Sequence, residues 1–131
     1  MNNDFQIAGI HHIELTVADL EGSKNFYSKL PKFKIVAEYA NFVMFFNGHF
    51  YLGLTDHKGL QDQKRFNERN VGLDHLSFNV KSKKDLADAL AFFDKEKVSH
   101  GEIKELSNNL YILAFRDPDN IQLELSWKEN D

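Results

Sequence analysis

Two histidines and one glutamate, far apart in the chain, are the residues whose types suggest metal chemistry. His12 lies in the stretch IHHIELTV, His75 in the similar stretch LDHLSFNV, and Glu124 in IQLELSW near the end. Two neutral imidazoles and a carboxylate form a recurrent ligand set for Fe(II), Mn(II), Zn(II) or Ni(II), with positions left open for substrate or water. No local ligand motif such as HExxH supports this interpretation. The alternative is that all three are ordinary polar residues on the solvated faces of amphipathic strands.

The alternation of apolar and polar residues predicts which face of each strand these candidates occupy. Successive side chains of a strand point to opposite faces, so Leu15 and Val17 would pack against a helix while His12 lies on the other face. His11 would fall on the helix side. The residues assigned in this way to the polar faces of four strands are His12, Glu14, Thr16, Tyr51, Gly53, Thr55, His75, Ser77, Asn79, Gln122, Glu124 and Ser126. If these faces curve around a shared cleft, the three candidate ligands converge there.

The two halves of the chain repeat one pattern. GIHHIELTV aligns with GLDHLSFNV, which pairs Gly9 with Gly72 and His12 with His75. Each half continues with a helix and then about three strands. A duplication of this kind predicts an α+β architecture with two small sheets related by a pseudo-twofold axis and helices on their outer faces.

Local signals mark one helix start and one turn. Ser82 with Asp85 resembles a capping box at the start of an amphipathic helix over 82–97. Asn47-Gly48 between apolar alternations predicts a tight hairpin in which both residues have positive φ.

Composition restricts the classes of partner. The 131 residues suit one compact domain or two small halves that share a core. A net charge of −4 without a basic stripe argues against nucleic acid and anionic membrane surfaces. The absence of cysteine excludes disulfides and thiolate metal sites. The first residues lack the apolar core of a signal peptide, and no apolar run approaches the length of a membrane span. The default expectation is a cytoplasmic protein.

Three stretches, IHHIELTVADLEGSKNFY, LDHLSFNV and FRDPDNIQLEL, together resemble the vicinal oxygen chelate superfamily. This group contains glyoxalase I, extradiol dioxygenases, fosfomycin-resistance transferases, methylmalonyl-CoA epimerase and bleomycin-resistance proteins. The resemblance implies two βαβββ modules that form a curved, cleft-bearing mixed sheet within a single domain, residues 1–131. Module one would cover about 8–56, the connector about 57–71 and module two about 72–127.

The resemblance also implies a ligand set. It identifies His12, His75 and Glu124 as ligands of one divalent metal ion, which would be Zn, Ni, Mn or Fe. Glyoxalase-I-like enzymes place a fourth ligand, a glutamate, where this chain has Gly53, which argues against glyoxalase I proper. The remaining set resembles that of extradiol dioxygenases and fosfomycin-resistance transferases, although the chain has only two modules and its tail, SWKEND, lacks the later Arg and Tyr of the transferases.

Glu14 is unusual for this family, whose members more often carry small or apolar side chains at that position. As a catalytic residue it would be a fourth ligand or a general base beside the metal. The alternative is an acid that only lines the cleft. The expected pocket wall consists of Tyr51, Thr55, Ser77, Gln122 and Ser126, and the histidines expected to be solvent-exposed rather than ligands are His49, His57 and His100.

The resulting functional hypothesis is a metal-dependent enzyme that chelates a small oxygenated metabolite, with isomerase, lyase or dioxygenase chemistry. Two alternatives are a metal-free binding or sequestration protein of the bleomycin-resistance type and an unrelated α+β domain. Two-module members of the superfamily commonly form homodimers, often by exchanging modules so that the chains share their sites.

Overall fold

The computed structural model describes residues 4–62 and 64–129 of the chain. The described residues form two compact units, which divide between residues 62 and 64. Each unit runs strand, helix, strand, strand, strand, so the predicted α+β class with two βαβββ modules is confirmed. None of the helices described is long and apolar enough to cross a membrane.

The described residues of module one form one helix and four strands. They are β1 (His12–Thr16), α1 (Leu20–Ser28), β2 (Lys34–Tyr39), β3 (Phe42–Phe46) and β4 (Tyr51–Thr55). The strand order in the sheet is β1-β4-β3-β2, with β1 parallel to β4 and the other pairs antiparallel.

Module two repeats this topology. Its elements are β5 (Leu76–Asn79), α2 (Lys83–Lys95), β6 (Lys104–Glu105), a short 3₁₀ helix (Ser107–Asn109), β7 (Leu110–Arg116) and β8 (Gln122–Lys128). The order is β5-β8-β7-β6, again with a parallel outer pair, β5 and β8.

Each helix covers the apolar face of its own sheet, as the strand alternation predicts. In module one, α1 contributes Tyr27, which is fully buried with its ring centroid 6.5 Å from that of Phe45. In module two, Phe93 of α2 stacks on Phe115 of β7 at 4.4 Å. Burial of such aromatic side chains supplies much of the apolar contact in each core. The opposite sheet face is left to the polar residues.

The local signals that mark the helix start and the turn are partly correct. Ser82 Oγ accepts a hydrogen bond from Asp85 N, and the Asp85 carboxylate accepts one from Ser82 N, so the capping box at α2 is confirmed. The Asn47-Gly48 hairpin forms, but only Gly48 has positive φ. Asn47 instead accepts hydrogen bonds through Oδ1 from the amides of His49 and Phe50, which closes a wider turn than the two-residue type predicted.

Candidate functional site

In module two, the parallel pairing of β5 with β8 brings His75 beside Glu124. His75 directly precedes β5, and Ser77, two residues later, lies opposite Glu124 in the register. His75 Nε2 is 3.8 Å from Glu124 Oε1, with 42% of the histidine side chain and 15% of the glutamate side chain exposed. A cation bound by a histidine nitrogen and a carboxylate oxygen at about 2.0–2.2 Å holds the two atoms about 3.0–3.5 Å apart. The pair therefore fits a shared divalent ion after a small side-chain adjustment.

The other nitrogen of His75 faces a second carboxylate. His75 Nδ1 lies 2.7 Å from Asp74 Oδ1, while Gln122 Nε2 donates to Asp74 Oδ1 at 3.0 Å and to the Asp74 carbonyl oxygen at 3.1 Å. Metal-binding histidines commonly donate their non-ligating N–H to such an acceptor. This arrangement is therefore the one expected behind a ligand histidine.

The Glu124 carboxylate is hydrogen-bonded to one of two linked serines. Ser126 Oγ donates to Glu124 Oε1 at 3.2 Å, and Ser77 Oγ is hydrogen-bonded to Ser126 Oγ. The Ser126 hydroxyl therefore orients the Glu124 carboxylate, and Ser77 in turn holds the Ser126 hydroxyl. The assignment of Ser77, Gln122 and Ser126 to a pocket wall stays a prediction.

An arginine that the sequence reasoning missed extends this cluster. Arg116 donates to both carboxylate oxygens of Glu68, at 2.8 and 3.0 Å, to the carbonyl oxygen of Asn120 at 3.1 Å, and to Gln122 Oε1 at 3.4 Å. Its hydrogen bonds lower the pKa of Glu68 to about 2, and the Glu68 carboxylate raises the pKa of Arg116. The only sequence signal was an Arg directly before the Asp-Pro-Asp turn, which does not by itself indicate a partner.

Module one carries its own set of polar side chains on β1 and β4. His12 lies opposite Tyr51, Glu14 opposite Gly53, and Thr16 opposite Thr55. The sequence therefore predicts correctly that these six positions share one sheet face.

Gly53 makes room for Glu14. A Cβ atom built on Gly53 would lie 3.2 Å from Glu14 Oε1 and 3.0 Å from a ring carbon of Phe42. The Glu14 carboxylate thus lies over the glycine, in the space that a side chain at position 53 would otherwise enter.

His11 and His12 contact each other through their Nδ1 atoms, which are 2.8 Å apart. His11 stacks on Tyr51 with ring centroids 5.4 Å apart. The placement of His11 on the helix side was wrong, because His11 precedes β1 and is not held to the alternation of the strand.

The remaining histidines differ from one another. His49 and His57 are exposed as expected, and His57 Nε2 lies 2.9 Å from Thr16 Oγ1. The expectation for His100 was wrong: its side chain is only 19% exposed. Its ring nitrogens lie 2.6 Å from the Gly101 carbonyl oxygen and 2.6 Å from an Asp94 carboxylate oxygen, which raises the pKa of His100.

The structure thus brings together His75 and Glu124, and separately His12 and Glu14 with the residues opposite them on β4. Within residues 4–62 and 64–129, no three histidine, aspartate or glutamate side chains form a group that could hold a metal ion. That His12 shares an ion with His75 and Glu124 accordingly stays a prediction.

Comparison with known proteins places the fold among characterised structures. The family model for the Glyoxalase/Bleomycin resistance protein/Dioxygenase superfamily matches residues 9–125. A glyoxylase/bleomycin resistance protein/dioxygenase domain from Frankia sp. EAN1pec is 32% identical with a TM-score of 0.84, over 95% of this chain and 100% of that chain.

Two more distant structures share the fold. Lactoylglutathione lyase from Agrobacterium tumefaciens is 21% identical, with a TM-score of 0.75 over 92% of this chain and 94% of its own. The fosfomycin resistance protein FosX from Listeria monocytogenes, in complex with Mn(II) and sulfate, is 18% identical, with a TM-score of 0.74 over 95% of this chain and 94% of its own.

Proposed function

The chain belongs to the glyoxalase, bleomycin resistance protein and dioxygenase superfamily, and from that membership we propose that it is a divalent-metal-dependent enzyme acting on a small oxygenated metabolite. The observation that carries the proposal is the position of His75 Nε2, 3.8 Å from Glu124 Oε1, with Asp74 bound to the opposite nitrogen of the ring. A solvated polar face does not require that geometry.

The proposed ligands are His12, His75 and Glu124, and the ion is Zn, Ni, Mn or Fe. The Listeria relative was crystallised with Mn(II), which supports a divalent ion in this fold. When bound, such an ion would polarise a carbonyl or hydroxyl oxygen of the substrate as a Lewis acid. Imidazole and carboxylate ligands suit each of these ions, so the donor set does not choose among them.

Glu14 is the proposed catalytic base. A carboxylate held over Gly53, on the same strand face as His12, would take a proton from the carbon next to the substrate carbonyl and return it elsewhere. This is isomerase or lyase chemistry, and the existence of a lyase with the same fold supports it. Ring cleavage of the dioxygenase type is the alternative if the ion is Fe or Mn.

The proposed pocket residues are Tyr51, Thr55, Ser77, Gln122 and Ser126. The proposal includes a cytoplasmic homodimer in which the two chains share their sites.

The test is turnover by the purified protein after metal removal and reloading. The chelator-treated protein is reloaded separately with Mn²⁺, Zn²⁺, Ni²⁺ or Fe²⁺ and assayed against hemithioacetals, catechols and acyl-CoA compounds. We expect turnover only with metal, and its loss in His75→Ala and Glu124→Ala. The exposed His49→Ala serves as the matched control and should retain full turnover.

Glu14→Gln separates catalysis from metal binding. Because the amide keeps the shape of the side chain but cannot take a proton, we expect a loss of about 10²–10⁴-fold in kcat with metal content unchanged. Turnover that survives complete metal removal would contradict the proposed function. A full kcat in Glu14→Gln would contradict the role of Glu14 as the catalytic base.

A further inference from the structure

We infer that Asp74 is a positioning residue that fixes the tautomer and the orientation of His75. The inference deepens the proposed function and rests on it only for the ion that His75 would bind. The contacts themselves lie entirely within module two.

The side chains of Asp74 and His75 are joined by a hydrogen bond. A carboxylate can only accept a hydrogen bond, so at 2.7 Å from Asp74 Oδ1 the Nδ1 atom of His75 carries the hydrogen. In the neutral ring the lone pair is then on Nε2, the nitrogen that faces Glu124. Asp74 therefore presents the ligating nitrogen to the side of the ring where Glu124 lies.

Asp74 is itself held in place by Gln122. Its side chain is 68% exposed, and a single contact to His75 would leave it free to rotate into water. The Gln122 amide group donates both to Asp74 Oδ1 and to the Asp74 carbonyl oxygen. These two hydrogen bonds fix the carboxylate relative to its own backbone.

Gln122 is held in place by Arg116. Arg116 donates to Gln122 Oε1, which leaves the amide nitrogen of Gln122 directed at Asp74. Arg116 is in turn held by a bidentate ion pair with Glu68. Bidentate arginine–carboxylate pairs set geometry as well as energy. An ordered chain of contacts thus runs from Glu68 through Arg116, Gln122 and Asp74 to His75.

We expect Asp74 to affect the orientation of the His75 ring rather than the stability of the fold. Exposed ion pairs add little to folding free energy, so removal of Asp74 should leave the fold intact. Without Asp74, the carboxylate that remains beside the ring is that of Glu124, on the Nε2 side. The proton of the neutral ring should therefore move to Nε2, where it blocks the ligating position.

The experiment measures the His75 tautomer by long-range ¹H–¹⁵N correlation spectra of the metal-free protein. We expect Nδ1–H in the native protein, Nε2–H in Asp74→Ala, and recovery of Nδ1–H in Asp74→Asn, because the asparagine Oδ1 still accepts. Asp88→Asn removes a carboxylate paired with Lys84 on the surface of α2 and should leave the spectrum of His75 unchanged. The same tautomer in the native protein and Asp74→Ala would overturn the inference.

A titration with Mn²⁺ alone gives the second readout. Loss of a hydrogen-bond partner behind a ligand histidine typically weakens metal binding about 10–100-fold, which we expect for Asp74→Ala but not for Asp74→Asn or Asp88→Asn. A tautomer change in a protein that binds none of Mn²⁺, Zn²⁺, Ni²⁺ and Fe²⁺ would support the role of Asp74 while contradicting metal binding at this site. The two failures are therefore distinguishable.

Discussion

At the scale of single residues, Glu14 and Gly53 show what the alternation of side chains along a strand can and cannot predict. Strand alternation correctly assigns both to the same face, and the register pairs them directly. The sequence could not show that the carboxylate lies over the glycine, because that depends on the side-chain torsions of Glu14 and on the Phe42 ring from a third strand.

The residues of the Asp74–Arg116 chain were missed for a similar reason. Asp74 directly precedes a candidate ligand, which is a signal in the sequence. The contact to Gln122 exists only once β8 lies beside β5, and Glu68 reaches Arg116 from a polar segment without periodicity. Local patterns carry no information about such pairings.

A buried hydroxyl gives a prediction at this scale. Ser23 Oγ in α1 is fully buried and has no hydrogen-bond partner among the described residues. Ser23→Ala removes an unsatisfied polar atom and introduces a better helix former, so we expect a stability unchanged or increased by up to about 1 kcal/mol. Denaturant unfolding measures this change.

Ser28→Ala, at an exposed position at the end of the same helix, controls for helix propensity. A clear loss of stability in Ser23→Ala would contradict the assignment of Ser23 Oγ as unsatisfied.

At the scale of elements, the turn between β7 and β8 determines where Glu124 lies. Asp117 is buried, and its Oδ1 accepts hydrogen bonds from the amides of Asp119 and Ile121, each at 2.8 Å. Side-chain acceptors of this kind hold a turn in one conformation. The Asp-Pro-Asp motif therefore sets the start of β8 and the register of Glu124 with Ser77.

Removal of this acceptor should destabilise module two. In Asp117→Ala, two amides of the turn lose their acceptor, and we expect a loss of about 1–3 kcal/mol in the free energy of unfolding. Asp117→Asn keeps Oδ1 and should lose less. Equal losses in the two variants, measured by denaturant unfolding, would show that the negative charge rather than the acceptor is what matters.

The ion pair between Glu68 and Arg116 predicts a pH dependence. The pKa of Glu68 is about 2 in the folded protein against an ordinary value of 4.5, because Arg116 hydrogen-bonds to its carboxylate. The folded state therefore favours the ionised form. The resulting stabilisation is present above about pH 4.5 and is lost as the pH falls toward 2.

Thermal unfolding of the native protein and Glu68→Gln between pH 6 and pH 2 measures this contribution. At pH 6 we expect the Tm of the native protein to be higher than that of Glu68→Gln. The difference between these two Tm values should shrink as the pH approaches 2. A difference that stays constant over this range would mean that the charge of Glu68 does not contribute.

At the scale of the whole molecule, the internal repeat predicted most of the fold. Matching short motifs and a matching order of elements were sufficient to predict two modules, each with a helix on one sheet face. Prediction failed where local chemistry replaces periodicity. Asn47 closes its turn through a side-chain oxygen, and His100 is held between Asp94 and Gly101 in a segment without alternation.

The duplication also bears on the site. Each module carries one histidine at the start of a strand that pairs in parallel. His12 is the first residue of β1, which lies beside β4, and His75 directly precedes β5, which lies beside β8. In module two, Glu124 Oε1 lies 3.8 Å from Nε2 of this histidine. We propose that both histidines and Glu124 bind the same ion.

The most direct test of that claim is the metal content of the protein after loading with a divalent ion and removal of the excess. We expect about one ion per chain in the native protein and in His49→Ala, and almost none in His12→Ala, His75→Ala or Glu124→Ala. Near-zero metal in the native protein, or a content unchanged in His12→Ala, would contradict it.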